Sequence, residues 1–164
     1  MVSEADLYEP IREYLSNQFK FKIEDNSCQS LNYHIECTST GVFSRHIKEN
    51  IPDYLEIIFS FLTSERPDLT GFVNEQGALN FITVEVKNNL IDLKDIYQAK
   101  RYADLFQAKY AFLVSSKPIP TVIKRLHQRT NILQTSVGLD NIILAQWSIK
   151  TNQIIDWYQN SPFK

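Results

Sequence analysis

The sequence predicts an α/β fold, and three observations carry that prediction. Through its second half, helical apolar stripes alternate with short β-rich runs. Ahead of them lies a ribbon of two strands joined by a tight polar turn. The composition, 43% apolar and 22% charged, sits in the ordinary globular range. With 164 residues, the chain is expected to form one domain over residues 1–164. Four glycines, six prolines and no biased tract give no sign of repeats or low complexity. The opening MVSEADLYEP lacks a basic region followed by an apolar run, so no signal peptide is expected. The run IIFSFL is too short for a membrane span. A cytoplasmic protein without a membrane partner is the expectation. Cys28 and Cys37 have no metal-like spacing; they read as reduced and structural, with a disulfide between them the alternative.

Ser3 to about Phe19 reads as an amphipathic helix, with Ser3 as N-cap and Glu4 and Asp6 at the positive end of its dipole. Leu7, Tyr8, Ile11, Tyr14 and Leu15 form its apolar stripe. Pro10 either kinks the helix or moves its start later. Glu4 falls on the axis of the stripe, whereas Glu9 and Glu13 point away. From Phe19 to Cys37 the pattern is strand-like but mixed, in the pieces FKI and LNYHIEC. Thr38 to Gly41 is a break. Val42 to Thr63 reads as helix interrupted at Pro52, with Ile51, Tyr54, Leu55, Ile58, Phe59 and Leu62 on one face. After the ribbon come a helix over Leu93–Phe106, a buried strand over Ala111–Ser115 and a helix from Thr121 to about Gln128. Strands at Ile142–Ile149 and Ile154–Tyr158 complete the chain.

The ribbon, RPDLTGFVNEQGALNFITVEVK, spans Arg66 to Lys87. Leu69–Val73 and Ala78–Val86 are its strands, and Asn74-Glu75-Gln76-Gly77 is the connection. Folded about Gln76, position 68 returns opposite position 85, so Asp68 and Glu85 become cross-strand neighbours on one face. Lys87 shares that face, and Ile82, Val84 and Val86 line the other. Paired carboxylates in a buried setting repel and lose hydration, so they call for a counter-charge. A divalent cation such as Mg²⁺ takes one or two carboxylates with water and phosphate, and a lysine beside it can orient a water or steady a phosphorane-like transition state. The alternative is an Asp–Lys–Glu charge network on a half-exposed hairpin.

Glu4, then Pro67-Asp68, then Glu85-Val86-Lys87, then Gln98 and Tyr102 in a helical QxxxY together resemble the PD-(D/E)XK nuclease superfamily. The first helix is similar to that of archaeal Holliday junction resolvases, and the QxxxY helix to RecB-like exonucleases. The resemblance covers Glu4 to about Ser116. It implies a restriction-endonuclease-like core, a mixed four-stranded sheet flanked by helices in the order α-β-β-β-α-β, followed here by a C-terminal αβ extension. It further implies that Asp68, Glu85 and the Val86 carbonyl bind Mg²⁺ or Mn²⁺, and that Lys87 positions or activates the attacking water. Glu4 would reach the metal through water, and Gln98 and Tyr102 would steady the site or touch DNA phosphate.

The function implied is metal-dependent hydrolysis of DNA in repair, recombination or defence, with a homodimer engaging two strands. Against a nuclease stands the net charge of −2, because phosphate contacts draw on Lys and Arg. Local cations exist at Lys94, Lys100 and Arg101, and again from Lys117 to Arg129, each set also readable as a solvated helix face. The rival reading is a catalytically inactive module of the same fold that binds DNA or a partner protein. An RNA-cleaving member would differ only in substrate. No zinc pattern, serine elbow or glycine-rich phosphate loop is present.

Overall fold

The computed structural model describes residues 2–24, 33–136 and 141–163. A 3-10 turn over Ala5–Leu7 leads into helix α1, Tyr8–Glu24. Ser3 and Asp6 close its entry reciprocally: the Ser3 amide donates to Asp6 Oδ2 at 2.7 Å and the Asp6 amide to Ser3 Oγ at 3.3 Å. Those bonds satisfy amides that the start of a helix leaves without partners. Because α1 begins at Tyr8, Pro10 falls in its first turn, where a missing N–H is tolerated. The helix also continues through Phe19-Lys-Phe-Lys-Ile, which alone reads as strand. Phe19 extends the buried Leu7, Ile11, Leu15 stripe by four residues, and that stripe keeps the helix on the sheet. The rest of the stretch, residues 25–32 with Cys28, lies outside the described residues; strand β1 covers Tyr33–Cys37.

Val42 to Thr63 is not one helix. Helix α2 spans Arg45–Asn50, and a 3-10 segment follows over Asp53–Ser60. Pro52 divides them by forcing Ile51 into extended backbone. Ile51, Ile58 and Leu62 are buried as expected, but Tyr54 is 69% exposed, since the tighter 3-10 pitch turns residues off a 3.6-residue register.

Strands β2, Leu69–Glu75, and β3, Ala78–Lys87, form the ribbon. Its turn is the pair Gln76-Gly77, both left-handed at φ 53° and 83°, the geometry whose twist suits a two-residue hairpin. Helix α3, Leu93–Phe106, is closed by an Asp92–Asp95 capping box. Strand β4, Tyr110–Ser115, helix α4, Thr121–Thr130, and strands β5, Ile143–Ser148, and β6, Gln153–Trp157, complete the order.

The sheet runs β1-β2-β3-β4-β5-β6. β1, β2 and β3 are antiparallel, β3, β4 and β5 parallel, and β6 antiparallel to β5. The expected four strands are therefore six, because the C-terminal extension joins the same sheet. Leu144, Ala145 and Trp147 of β5 bury their side chains by docking beside β4. α1 covers one face, packing Leu7, Ile11, Leu15 and Phe19 on Leu69, Ile82, Val84, Val86, Phe112 and Trp147. The other face carries α3 and α4 over Ala111, Leu113 and Leu144, and α2 with the 3-10 segment over Phe72 and Phe81. β4 is buried on both faces, as its unbroken apolar run implies. Among the described residues no helix is long and apolar enough to cross a membrane.

One glycine is fixed by space. A Cβ on Gly71 would overlap the His34 carbonyl oxygen and lie 2.8 Å from Ile35 Cγ1 across the β1–β2 pair. Gly71→Ala is expected to cost about 1–3 kcal/mol through overpacking against backbone, read as a lower urea midpoint with an unchanged slope. An unchanged midpoint would mean that β1 yields without cost.

Candidate functional site

The site forms where β3 outruns β2. Leu69 and Val84 are the last ladder pair, and continuing that register sets Asp68 opposite Glu85 one step on and Pro67 opposite Val86 two steps on. Proline has no N–H to offer the Val86 carbonyl. The Val86 amide, released from the ladder, donates instead to Asp68 Oδ2 at 2.8 Å. Thr38, fully buried at the end of β1, holds the approach. Its hydroxyl donates to the Pro67 carbonyl and its amide to the Asp68 carbonyl, both at 2.8 Å. The alternation of β3 then places Glu85 and Lys87 beside Asp68, on the face covered by α3.

Lys87 is the hub. Its ammonium donates to Glu85 Oε1 at 2.7 Å and to Gln98 Oε1 at 3.4 Å, and lies 3.8 Å from Asp95 Oδ1. Gln98 and Tyr102 sit one turn apart on α3, and the Gln98 amide reaches the Tyr102 hydroxyl at 3.3 Å. The chain start comes to the same place. Asn88, next after Lys87, donates to the Val2 carbonyl at 2.5 Å, and the Tyr8 hydroxyl to Glu4 Oε1 at 3.4 Å.

Glu85 and Asp95 are thus paired with the Lys87 ammonium, and the charges of Glu4 and Asp68 also bear on it. Burial, then the charge of Asp68, pushes the Glu85 carboxyl up to about 8. Burial also raises Asp68, against the opposing pull of the Val86 amide, and raises Asp95. For Lys87 burial alone would favour loss of the proton, but the Glu85 hydrogen bond and the surrounding carboxylates outweigh it and raise its pKa. Lys87 is therefore a firmly held ammonium, a donor rather than a base. Burial and the charge of Asp68 keep the Tyr8 phenol protonated well above its ordinary range. Glu85 Oε2 is buried without a hydrogen-bond partner, a costly state for a carboxylate oxygen.

The expected residues Glu4, Asp68, Glu85, Lys87 and Gln98 come together. Tyr102 is placed differently from a phosphate contact: it is 1% exposed, its ring lies in the core and its hydroxyl braces Gln98. Asp68, Gln98 and Tyr102 line an open cleft of about 270 Å³. Lys94 and Arg101 border it, with Arg101 paired to Glu65. Lys100 turns away, donating to the Ile132 carbonyl at 3.1 Å. Sequence reasoning missed Tyr8, Thr38, Asp95 and Arg66. The first two act through long-range contacts. Asp95 also closes the capping box with Asp92, the commoner role for an acid in the first turn of a helix. Arg66 borders the cleft with its guanidinium fixed by the Ser39 and Thr63 carbonyls.

Among the described residues no three His, Cys, Asp or Glu side chains group to hold a metal ion. The residues that could hold one are Asp68, Glu85, whose Oε2 has no hydrogen-bond partner, and Val86 through its carbonyl. Two carboxylates and a carbonyl completed by solvent are a set that suits Mg²⁺ or Mn²⁺, and the partnerless Glu85 oxygen fits it.

The raised Glu85 carboxyl has a stability consequence. A carboxyl moved from an ordinary 4.5 to about 8 on folding binds its proton more tightly folded than unfolded. Its ionisation therefore costs stability as pH climbs between those values. Glu85→Gln is expected to raise Tm at about pH 9 and to leave it nearly unchanged at about pH 5, each 1 kcal/mol appearing as roughly 2–4 °C. An equal gain at both pH values, measured without divalent ions, would remove the charge explanation. In comparisons with protein-family models, curated proteins and solved structures, the chain finds no match.

Proposed function

We propose that the chain is a metal-dependent nuclease with a restriction-endonuclease-like core, hydrolysing DNA phosphodiester bonds in repair, recombination or defence. The observation that supports this best is the buried, partnerless Glu85 Oε2 beside a second buried carboxylate and a held ammonium. An isolated charge network has no use for such an oxygen. A site awaiting a cation does.

Asp68, Glu85 and the Val86 carbonyl would hold Mg²⁺ or Mn²⁺. When bound, the ion supplies positive charge at the scissile phosphate and makes hydroxide available near neutral pH. The chain's own groups do the rest. Val86 and Thr38 fix Asp68 before substrate arrives. Gln98, braced by Tyr102, limits where the Lys87 ammonium can point. From there Lys87 orients the attacking water and offers a hydrogen bond to the charge that grows on phosphate oxygens. Glu4, which accepts from the Tyr8 hydroxyl, would reach the metal through water. Pairing as a homodimer, to engage two strands, belongs to the same reading.

The non-catalytic module is favoured by one observation, the Lys87–Glu85 pair with Asp95 behind it, which is how a hairpin balances its charges without a cation. Calorimetric titration with Mn²⁺ and Mg²⁺, with and without an oligonucleotide, separates the two. Binding to the wild-type chain should vanish in Asp68→Ala and Glu85→Ala, and DNA cleavage should fall by about 100-fold or more in those variants and in Lys87→Ala. Ion binding that is absent under both conditions, or untouched by the substitutions, would leave the module.

A further inference from the structure

Next to the cleft, α3 presents a second surface that the hydrolytic site does not use. Tyr97 is 53% exposed, and Leu93, one turn before it, is 44% exposed. With Lys100, Arg101 and Leu105, Tyr97 lines a largely apolar groove. Arg101 borders both this groove and the cleft that contains Asp68, so the two surfaces are continuous. The Lys100 ammonium lies 5.9 Å from the centre of the Tyr97 ring and is itself held by the Ile132 carbonyl. The ring thus has a held ammonium beside it and leaves about half of its residue's surface to solvent. Lys94 and Arg101 flank it at three and four residues' distance on the same side of the helix, about 10 Å apart along the axis. The acid that lines the groove, Asp104, is engaged by the Ser136 amide and hydroxyl at 2.9 and 2.8 Å.

We infer that this groove is a stacking platform for single-stranded nucleic acid, with one base on Tyr97 and the neighbouring phosphates on Lys94 and Arg101. The inference rests on the nuclease reading and gives its substrate class: the strand that enters the cleft is unpaired where it crosses α3. Charge complementarity selects an anionic occupant: Lys100 stands beside the ring, and Lys94 and Arg101 lie a turn to either side, Arg101 half-exposed in its pair with Glu65 where a phosphate can join it. The ring selects one whose flat faces are open. Bases in a duplex are covered above and below by their neighbours, whereas an unpaired base offers its face to an aromatic side chain. Stacking also suits a chain of net charge −2, because it does not depend on a strong positive field over the whole surface.

The test uses the full chain with EDTA present, so that binding is read without hydrolysis. The probes are a short fluorescein-labelled oligothymidylate and the same strand annealed to its complement, followed by fluorescence anisotropy. The single strand should bind more tightly than the duplex. Tyr97→Ala should weaken single-strand binding roughly tenfold, the scale of one base–aromatic stack, and leave duplex binding unchanged. Tyr97→Phe keeps the ring and should bind within about twofold of wild type. Single-strand binding unaffected by Tyr97→Ala, equal losses in the Ala and Phe variants, duplex binding as tight as single-strand binding, or no binding at all would each overturn the platform. Mn²⁺-dependent cleavage lost in Asp68→Ala judges the hydrolytic reading separately. Cleavage with binding indifferent to Tyr97 removes the platform alone, and Tyr97-dependent binding without cleavage removes the hydrolase alone.

Discussion

A single hydrogen bond, from the Val86 amide to the Asp68 carboxylate, is the constraint on which the candidate site depends. It forms just past the end of the antiparallel ladder, which stops at Leu69 and Val84 and is followed on β2's side by Asp68 and then Pro67. A residue with an N–H at position 67 could continue the ladder by donating to the Val86 carbonyl. Proline removes the donor, Thr38 takes up the carbonyl, and Asp68 is left as the acceptor. The exchange turns a strand end into a carboxylate held by backbone on one side and bordering a cleft on the other. Elsewhere in the ribbon Ile82, Val84 and Val86 face α1 and anchor the same strand in the core. The strand that carries the charges is thus among the best fixed in the molecule.

That rigidity explains why the electrostatics are costly and remain so. A flexible segment would move Glu85 toward water or spread the carboxylates apart. Here β3 is packed on both faces, and Glu85 is 3% exposed, so it either keeps a proton or gains a positive partner. Lys87 supplies part of the balance and is pinned as an ammonium in doing so. Lys87 is the cation in direct contact with the buried acids, and with Glu85 and Asp68 both ionised their mutual repulsion is the condition a divalent ion relieves.

Much of this was legible in the sequence wherever it is written locally. The hairpin register follows from the Gln76-Gly77 turn and the alternation on either side, so the Asp68–Glu85 pairing could be read directly. α3 is bounded by an Asp cap and a left-handed Gln107, and its extent matches the helix expected over Leu93–Phe106. Errors arose where tertiary contacts overrule local pattern. Phe19 belongs to α1 because the sheet surface extends that far, and no property of Phe-Lys-Ile alone announces it. The number of strands depended on whether β5 and β6 would add to the same sheet, which only packing beside β4 decides. Lys100, on the same helix as Gln98, donates to the Ile132 carbonyl and stands beside Tyr97 rather than at the cleft, a placement that no local pattern carries. Thr38 and Tyr8 entered the site from more than twenty residues away in sequence from any residue first suspected, except Glu4 in the case of Tyr8, and a threonine at a strand end carries no chemical signature.

The ribbon also separates its two ends. From Asp68 to the Gln76-Gly77 turn is eight residues of extended chain, about 27 Å at roughly 3.4 Å per residue. The Debye length at physiological ionic strength is about 8 Å. Ionised groups at the turn, where nothing lies within 4 Å of a Cβ built on Gly77, are therefore screened from Glu85. A dye, an affinity tag or a surface tether attached at that tip would report on the protein, or immobilise it, while leaving the titration of the buried carboxyls as it is.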